Sequence, residues 1–330
     1  MRAALATAAV VGAAAVAALG LAALRPGAAP AEPPKRVFAF LSRADGLELR
    51  RLAQIGRRIS VLAPNWYELD VDSGALHEPW QREPVLRAAR RAGVPVWPVV
   101  NARTGGSAAI DDPLARARTV AAIVRVASDP AYAGVTLDIE ELLATQRDAY
   151  TALVRDVAAA LAVRRRRLAV YAPRPTRGGS ALAYDWPALA AAADLLLVAT
   201  YNETGPQGPP GPLDSSAGYA DVLARAAAVS QTKTVPILGA IGYAWPQTGP
   251  GQMVSVIDAE QRRTRCRAPR SVADGNASYR CRGETVYHAT SAGLRERARA
   301  AGAAGFRWMA LFSLGREPRS FWDGMPRVRR

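Results

Sequence analysis

From Arg36 onward the chain alternates between short β-branched apolar runs and longer Ala-, Leu- and Arg-rich stretches whose apolar positions recur every three or four residues. That alternation is the pattern of βα units around a parallel sheet. Eight strands are predicted: Val37–Leu41, Ile59–Ala63, Val94–Val100, Val135–Glu140, Leu168–Ala172, Leu195–Thr200, Val235–Ile241 and Phe306–Phe312. The stretches between them carry helix ends. Pro84 opens a helix that Gly93 closes, and Asp112-Pro113 supplies an N-cap followed by a first-turn proline. Thr145 and Asp148 stand at capping-box spacing, and Tyr150, Leu153, Val154, Val157 and Leu161 form the apolar stripe of the helix they would start. Eight strands with seven clear intervening helices predict a closed (β/α)8 TIM barrel, one domain over residues 36–330, in preference to an open doubly wound sheet.

Two segments fall outside the repeat. Between the seventh strand and its helix, about residues 243–289, the chain is too long for an ordinary βα loop, and it holds both cysteines and the turn Asp274-Gly275-Asn276. A small inserted subdomain is expected there. Loops of that kind stand on the catalytic face of a barrel, so the insertion either walls a substrate groove or stands clear of it. The other segment is the N-terminus, where Ala3 to Leu24 contains no charge and is flanked by Arg2 and Arg25, with a Pro/Ala stretch running on to Pro34. With Ala29-Pro30-Ala31 as a small-residue cleavage site it reads as a signal peptide, and with its 22 residues it reads equally as an uncleaved anchor, since about 20 span a bilayer. Residues 1–35 are therefore expected to be targeting segment and linker, and the rest to be exported: secreted, periplasmic or held at the outer face of the cytoplasmic membrane. Cys266 and Cys281 suit that compartment as a disulfide, the alternative being two buried free thiols.

Composition removes several classes of function. An apolar fraction of 50% with 22% charged residues is that of a chain with a real core. The net charge of +15 comes from Arg scattered through helices, with no Lys/Arg block long enough to act as a nucleic-acid arm. The longest run, Arg164–Arg167, reads as a basic helix end. Such a charge still favours anionic surfaces, phospholipid headgroups and acidic wall polymers among them. With His77 and His288 as the only histidines, a His-rich metal site is excluded and a Ser-His-Asp triad has little support. Gly105-Gly106 and Gly178-Gly179 lack the spacing of phosphate-binding loops. No metal or cofactor is expected.

The fourth strand carries the candidate chemistry. A parallel barrel strand buried on both faces reads as a continuous apolar run, and this one does not. Val135, Leu137 and Ile139 take one side, whereas Thr136, Asp138 and Glu140 share the other and are expected to point into the barrel. Two carboxylates one pleat apart, about 7 Å between Cα atoms, cannot both ionise cheaply in a confined cavity. A proton retained near neutrality suits Glu140 to act as general acid with Asp138 in support. The alternative is a solvated strand end finishing in acidic residues, Glu141 included. Asn65-Trp66-Tyr67, Thr200-Tyr201-Asn202-Glu203 and Gly242-Tyr243-Ala244-Trp245 follow strands two, six and seven, where aromatics either pack or offer a platform to sugar rings.

Gly134-Val135-Thr136-Leu137-Asp138-Ile139-Glu140 is similar to the DGxDxDxE motif of the family 18 glycoside hydrolases, the chitinase family, and especially to its bacterial cell-wall and spore-germination branch. The resemblance extends through Tyr184-Asp185-Trp186-Pro187-Ala188, Ala199 to Glu203, Gly242 to Trp245, and Leu314 to Glu317 with Trp322, and so covers roughly Val37 to Trp322. It implies a glycosidase acting on β-linked N-acetylhexosamine polymers, peptidoglycan or chitin-like. Glu140 would protonate the glycosidic oxygen, Asp138 would orient and charge-stabilise the substrate's acetamido group as internal nucleophile, and Tyr201 would hydrogen-bond its carbonyl, with retention of configuration. Trp66, Asn202, Tyr243, Trp245 and Phe312 are the expected substrate-binding residues. The chain departs from the family pattern at Ala133 and Thr136, which replace the two leading acids, at Asn202 where Asp often follows the tyrosine, and at Phe312 where a tryptophan usually underlies the sugar. The alternative from another class is a carbohydrate-binding lectin on the same barrel; the presence of Glu140 speaks against it.

Overall fold

The computed structural model describes residues 31–78, 81–176 and 179–326, so the expected signal or anchor segment Ala3–Leu24 lies outside the described residues. Eight parallel strands close on themselves: β1 (Arg36–Leu41), β2 (Val61–Leu69), β3 (Val99–Arg103), β4 (Gly134–Glu140), β5 (Arg167–Ala172), β6 (Leu195–Ala199), β7 (Thr234–Gly239) and β8 (Trp308–Phe312). Each pairs with its neighbours in sequence, and β1 closes the ring by pairing with both β2 and β8. The pleat sorts side chains into two layers. Phe38 and Phe40 turn inward to join Val61, Ala63, Trp97, Val99, Tyr171 and Ile237 in the lumen. Val37, Ala39 and Leu41 turn outward against the helices, as do Val135, Leu137 and Ile139 of β4.

The helices are α1 (Gly46–Ile55), α2 (Arg82–Ala92), α3 (Pro113–Ala127), α4 (Arg147–Val163), α5 (Trp186–Ala192), α6 (Ser216–Val229), α7 (Val256–Cys266) and α8 (Ser291–Ala303). Their ends follow local chemistry. Asp112 accepts from Leu114 and Ala115 backbone N–H groups ahead of Pro113, and Gly93 closes α2 in the left-handed region at φ 60°. In α4 the predicted stripe is buried, but its start differs: Ala144–Gln146 form a 3-10 turn, and Gln146 Oε1 accepts from Leu143 N at 3.0 Å in place of a Thr145 cap.

Two strands depart from the sequence reading. The third was expected at Val94–Val100 but runs Val99–Arg103, because Pro95 and Pro98 lack the N–H a ladder needs; Val94–Pro98 contributes only an isolated bridge, Val96 to Leu62. Conversely β2 continues to Leu69, so Asn65, Trp66 and Tyr67 lie within a strand rather than after it. The insertion is a second sheet of five antiparallel strands, ordered Gln252–Ser255, Ile241–Trp245, Glu284–Ala289, Asn276–Cys281, Ser271–Ala273. Ala244, Val254, Ala259, Ala268, Tyr279 and Val286 form its separate core under α7. Cys266, at the end of α7, is joined to Cys281 by a disulfide, Cα–Cα 5.9 Å.

Candidate active site

β4 begins at a glycine because β5 leaves no room: a Cβ on Gly134 would stand 2.6 Å from Arg167 O and 2.9 Å from Trp97 Cδ2. Along its lumenal side Thr136 is fully buried and donates from Oγ1 to Trp97 O at 3.2 Å. One pleat further, Asp138 lies beside Asn101 of β3, whose Nδ2 donates to Asp138 Oδ2 at 3.4 Å; Asp138 Oδ1 is buried and accepts no hydrogen bond from the described residues. Glu140, half-buried at the strand's end, stands beside Arg103, with 3.5 Å between the guanidinium and Oε2. The next residue, Glu141, adopts φ 61°, is exposed, and takes a second nitrogen of the same guanidinium at 2.9 Å. Thr104 fastens this turn, donating from N to Glu140 O and from Oγ1 to Glu141 O.

Burial shifts both lumenal acids. Asp138 is pushed up to about 8, chiefly by desolvation and then by the charge of Glu140, with Arg103 and Asn101 pulling the other way. Glu140 is also raised by burial, opposed by Arg103 and supported by the charge of Glu141. The two carboxyls are one titrating unit that keeps a proton towards neutral pH.

Tyr201 follows β6, and its ring rests on Gly239, where a Cβ would come within 2.9 Å of Cγ. It stacks on Phe312 with 6.1 Å between centroids at 18°, and Phe312 meets Phe40 edge-on at 5.9 Å. Burial, with Tyr243, Asp138 and Glu140 nearby, holds the Tyr201 phenol protonated well above its usual range. Asn202 sits in the left-handed region at φ 65°, which Asn tolerates, and its Oδ1 accepts from Tyr243 OH at 2.8 Å. These residues converge near the two acids. Trp245 is 2% exposed, donates from Nε1 to Gly208 O at 3.0 Å, and with Gln247, Arg280 and Arg282 lines a cavity of about 570 Å³ at the insertion. Trp66 packs outward on Tyr132 and lines another cavity, of about 340 Å³, with Arg43 and Asn65.

Sequence reading missed Asn101 and Arg103, since the predicted third strand stopped at Val100. The signal was there: the alternation Val99, Asn101, Arg103 continues the lumenal face with polar residues. It also missed Tyr171, a buried lumenal phenol raised first by burial and then by Tyr201, Asp138 and Glu140. Tyr184 steadies β4 from the outer side, donating from its hydroxyl to Ile139 O at 2.7 Å.

A barrel whose fourth strand ends in two lumenal acids agrees with the comparison to known families, in which the model of glycosyl hydrolases family 18 matches residues 88–286. The chain belongs to glycosyl hydrolases family 18. No curated protein matches the sequence. Among solved structures, this family 18 barrel is similar to a chitinase from Chromobacterium violaceum, with TM-score 0.78, 24% identity, and 90% of this chain and 100% of that one covered. It is likewise similar to the spore cortex-lytic enzyme SleL of Bacillus cereus, with TM-score 0.75, 16% identity, and coverage of 91% and 75%. A class V chitinase from Nicotiana tobaccum, solved in complex with NAG4, gives TM-score 0.71 at 15% identity over 90% and 98%. At such identities these likenesses speak to the fold.

Proposed function

We propose that the protein is a retaining glycosidase of β-linked N-acetylhexosamine chains, peptidoglycan-like or chitin-like, in which the substrate's own acetamido oxygen is the nucleophile. The observation that carries this reading is the lumenal pair Asp138 and Glu140, sharing a retained proton, with an Asp138 oxygen buried and accepting nothing from the described residues. An acetamido N–H donating to that Oδ1 would favour the charged form of Asp138 and leave the proton on Glu140. Glu140 then delivers it to the glycosidic oxygen as the acetamido carbonyl oxygen attacks the anomeric carbon. The cyclic cation formed is balanced by Asp138, and Tyr201 supports the carbonyl oxygen. Glu140, now ionised, takes a proton from the water that opens the ring from the same face as the departed sugar, which retains configuration.

Phe312, stacked on Tyr201, is the proposed floor for the reacting sugar, with Asn202 and Tyr243 on its polar edge. Trp66 and Trp245 line separate cavities and are given no sugar in this scheme. The proposed setting is outside the cytoplasm, which the apolar segment Ala3–Leu24 and the Cys266–Cys281 disulfide support.

The test compares N-acetylated oligosaccharides with the same chains deacetylated at the reacting sugar. Cleavage of the acetylated chain alone, with retention seen by NMR, is expected. Comparable cleavage of the deacetylated chain, or inversion, overturns the mechanism.

A further inference from the structure

The connections that lead from the helices outside the insertion back into the barrel stand at the N-terminal ends of the strands, the face opposite the acids. Across a strand of six or seven residues that is about 20 Å from Glu140. Their charge is one-sided. Lys35 and Arg36 enter β1, Arg57 lies between α1 and β2, and Arg90 and Arg91 end α2; all are exposed. Arg125 ends α3, Arg164 and Arg165 follow α4, and Arg307 precedes β8, exposed as well. The acids among these connections are Glu32, Asp129 and Asp194, of which Asp129 pairs with Arg82 and Asp194 with Arg167. The opposite face is mixed, its loops exposing Asp72, Asp111, Asp112, Glu141 and Glu203 together with Arg43, Arg103, Arg147 and Arg282.

The chain also enters the barrel on the basic face. Pro33 and Pro34 are buried, and the backbone of Glu32 lies so close to Gly302 of α8 that a Cβ there would overlap Glu32 O. Residues 31–35 are thereby fixed at the N-terminal end of β1, and in sequence they directly follow residues 1–30 with their uncharged run of 22.

We propose that this face is a docking surface for a bilayer rich in anionic phospholipid. Each exposed cation close to such a surface adds a modest attraction within a Debye length, so a face presenting several together binds firmly while a single residue does not. A membrane is favoured over a soluble acidic polymer because the basic groups extend across the whole face, from Lys35 and Arg57 to Arg125 and Arg307, well beyond the cavity that Arg165, Arg166, Arg167 and Lys233 line, and because residues 31–35, fixed at this face, directly follow the uncharged run in sequence. Docked in this way, the barrel directs its acids away from the bilayer, towards polymer outside it. Docking of this kind is independent of the hydrolytic chemistry.

The experiment uses the full chain and two vesicle types, phosphatidylcholine alone and phosphatidylcholine with phosphatidylglycerol. The variant carries Arg57, Arg90, Arg91, Arg164 and Arg165 changed to Gln, none of them near the acids. It should lose at least about 10²-fold in affinity for the anionic vesicles, keep wild-type affinity for neutral ones, and retain turnover on a soluble oligosaccharide. A preference for anionic vesicles that survives in the variant overturns the proposal, as does a poly(glycerol phosphate) chain that binds the wild type as tightly as the vesicles do. Phenylglyoxal footprinting of the wild type needs no variant: anionic vesicles should protect Arg90, Arg91, Arg164 and Arg165 and leave Arg43 and Arg103 reactive. Equal protection of both sets also overturns it.

Discussion

Glu140 and Glu141 are adjacent in sequence but differ in surroundings: one is half-buried at the lumenal end of β4, the other exposed in a left-handed turn. Glu140→Gln should keep the fold and lower kcat by at least about 10²-fold, the scale of a lost general acid. Glu141→Gln should be mild, moving the alkaline limb of the pH–rate profile slightly towards acid, since it removes a charge that raises Glu140 and frees Arg103 for it. Greater damage from the Glu141 change in steady-state kinetics would mean that the strand register is wrong. Asp138 makes a separate prediction about stability. Its carboxyl holds a proton to about pH 8 when folded but ionises near its ordinary 3.8 when unfolded. Between those values the folded state binds more protons, so stability falls as pH rises across that window. Asp138→Asn does not titrate. Its stability relative to wild type should therefore climb steadily from pH 5 to pH 8, while activity on acetylated substrate collapses, the trade expected of a strained site. Calorimetric scans at both pH values decide it, and a variant that loses ground as pH rises contradicts the assigned burial.

At the scale of elements, what could be read in advance depended on whether a local pattern had one physical meaning. β4 was legible because a period-2 alternation that puts acids along one side of an apolar strand suits a lumenal site and little else, and α3 because Asp112-Pro113 can hardly do anything but start a helix. β3 was misplaced because Val94, Val96, Val99 and Val100 look alike in sequence, whereas the prolines among them decide which can enter a ladder. The insertion was visible only as excess length with two cysteines; its antiparallel pairing depends on contacts between residues far apart in the chain, such as Gly242 with His288, which no local pattern reports. That sheet has a small core of its own, with both cysteines packed against it. Removing the Cys266–Cys281 link by a double Ser substitution should cost the insertion about 3 kcal/mol, from the entropy of a loop closed over 15 positions. The loss should be local. Hydrogen exchange should speed up across residues 252–289 and stay unchanged in the lumenal strands; acceleration throughout the barrel would mean that the two cores unfold as one.

Closure of the barrel brings α1 against the segment that follows β8, and the meeting point is ionic rather than apolar. After β8, the fully buried Glu317 holds Arg51 of α1 at 2.7 Å and accepts from Trp322 Nε1 at 2.6 Å, while Arg51 also donates to Glu317 O at 3.2 Å. Glu48 of α1 is equally buried, accepts from the backbone of Ser42, Arg43 and Ala44, and faces Arg316 at 3.4 Å. This cluster ties the start of the barrel to its end at a place the hydrophobic pattern leaves blank, and it accounts for charged residues where a packed core would otherwise be expected. A buried pair adds little net stability when intact but leaves a costly orphan when halved. Glu317→Leu alone should therefore destabilise the protein by about 3–5 kcal/mol, with Arg51 charged, buried and unpaired. Arg51→Met combined with Glu317→Leu should recover most of that loss, staying below wild type by the roughly 1–3 kcal/mol of the unaccepted Trp322 N–H. Urea denaturation of the wild type, both single variants and the double variant measures the coupling directly. If the double variant is as unstable as the sum of the singles, the two charges do not act as a pair, and the closure of β1 onto β8 must be held by the ladder and the apolar layer alone.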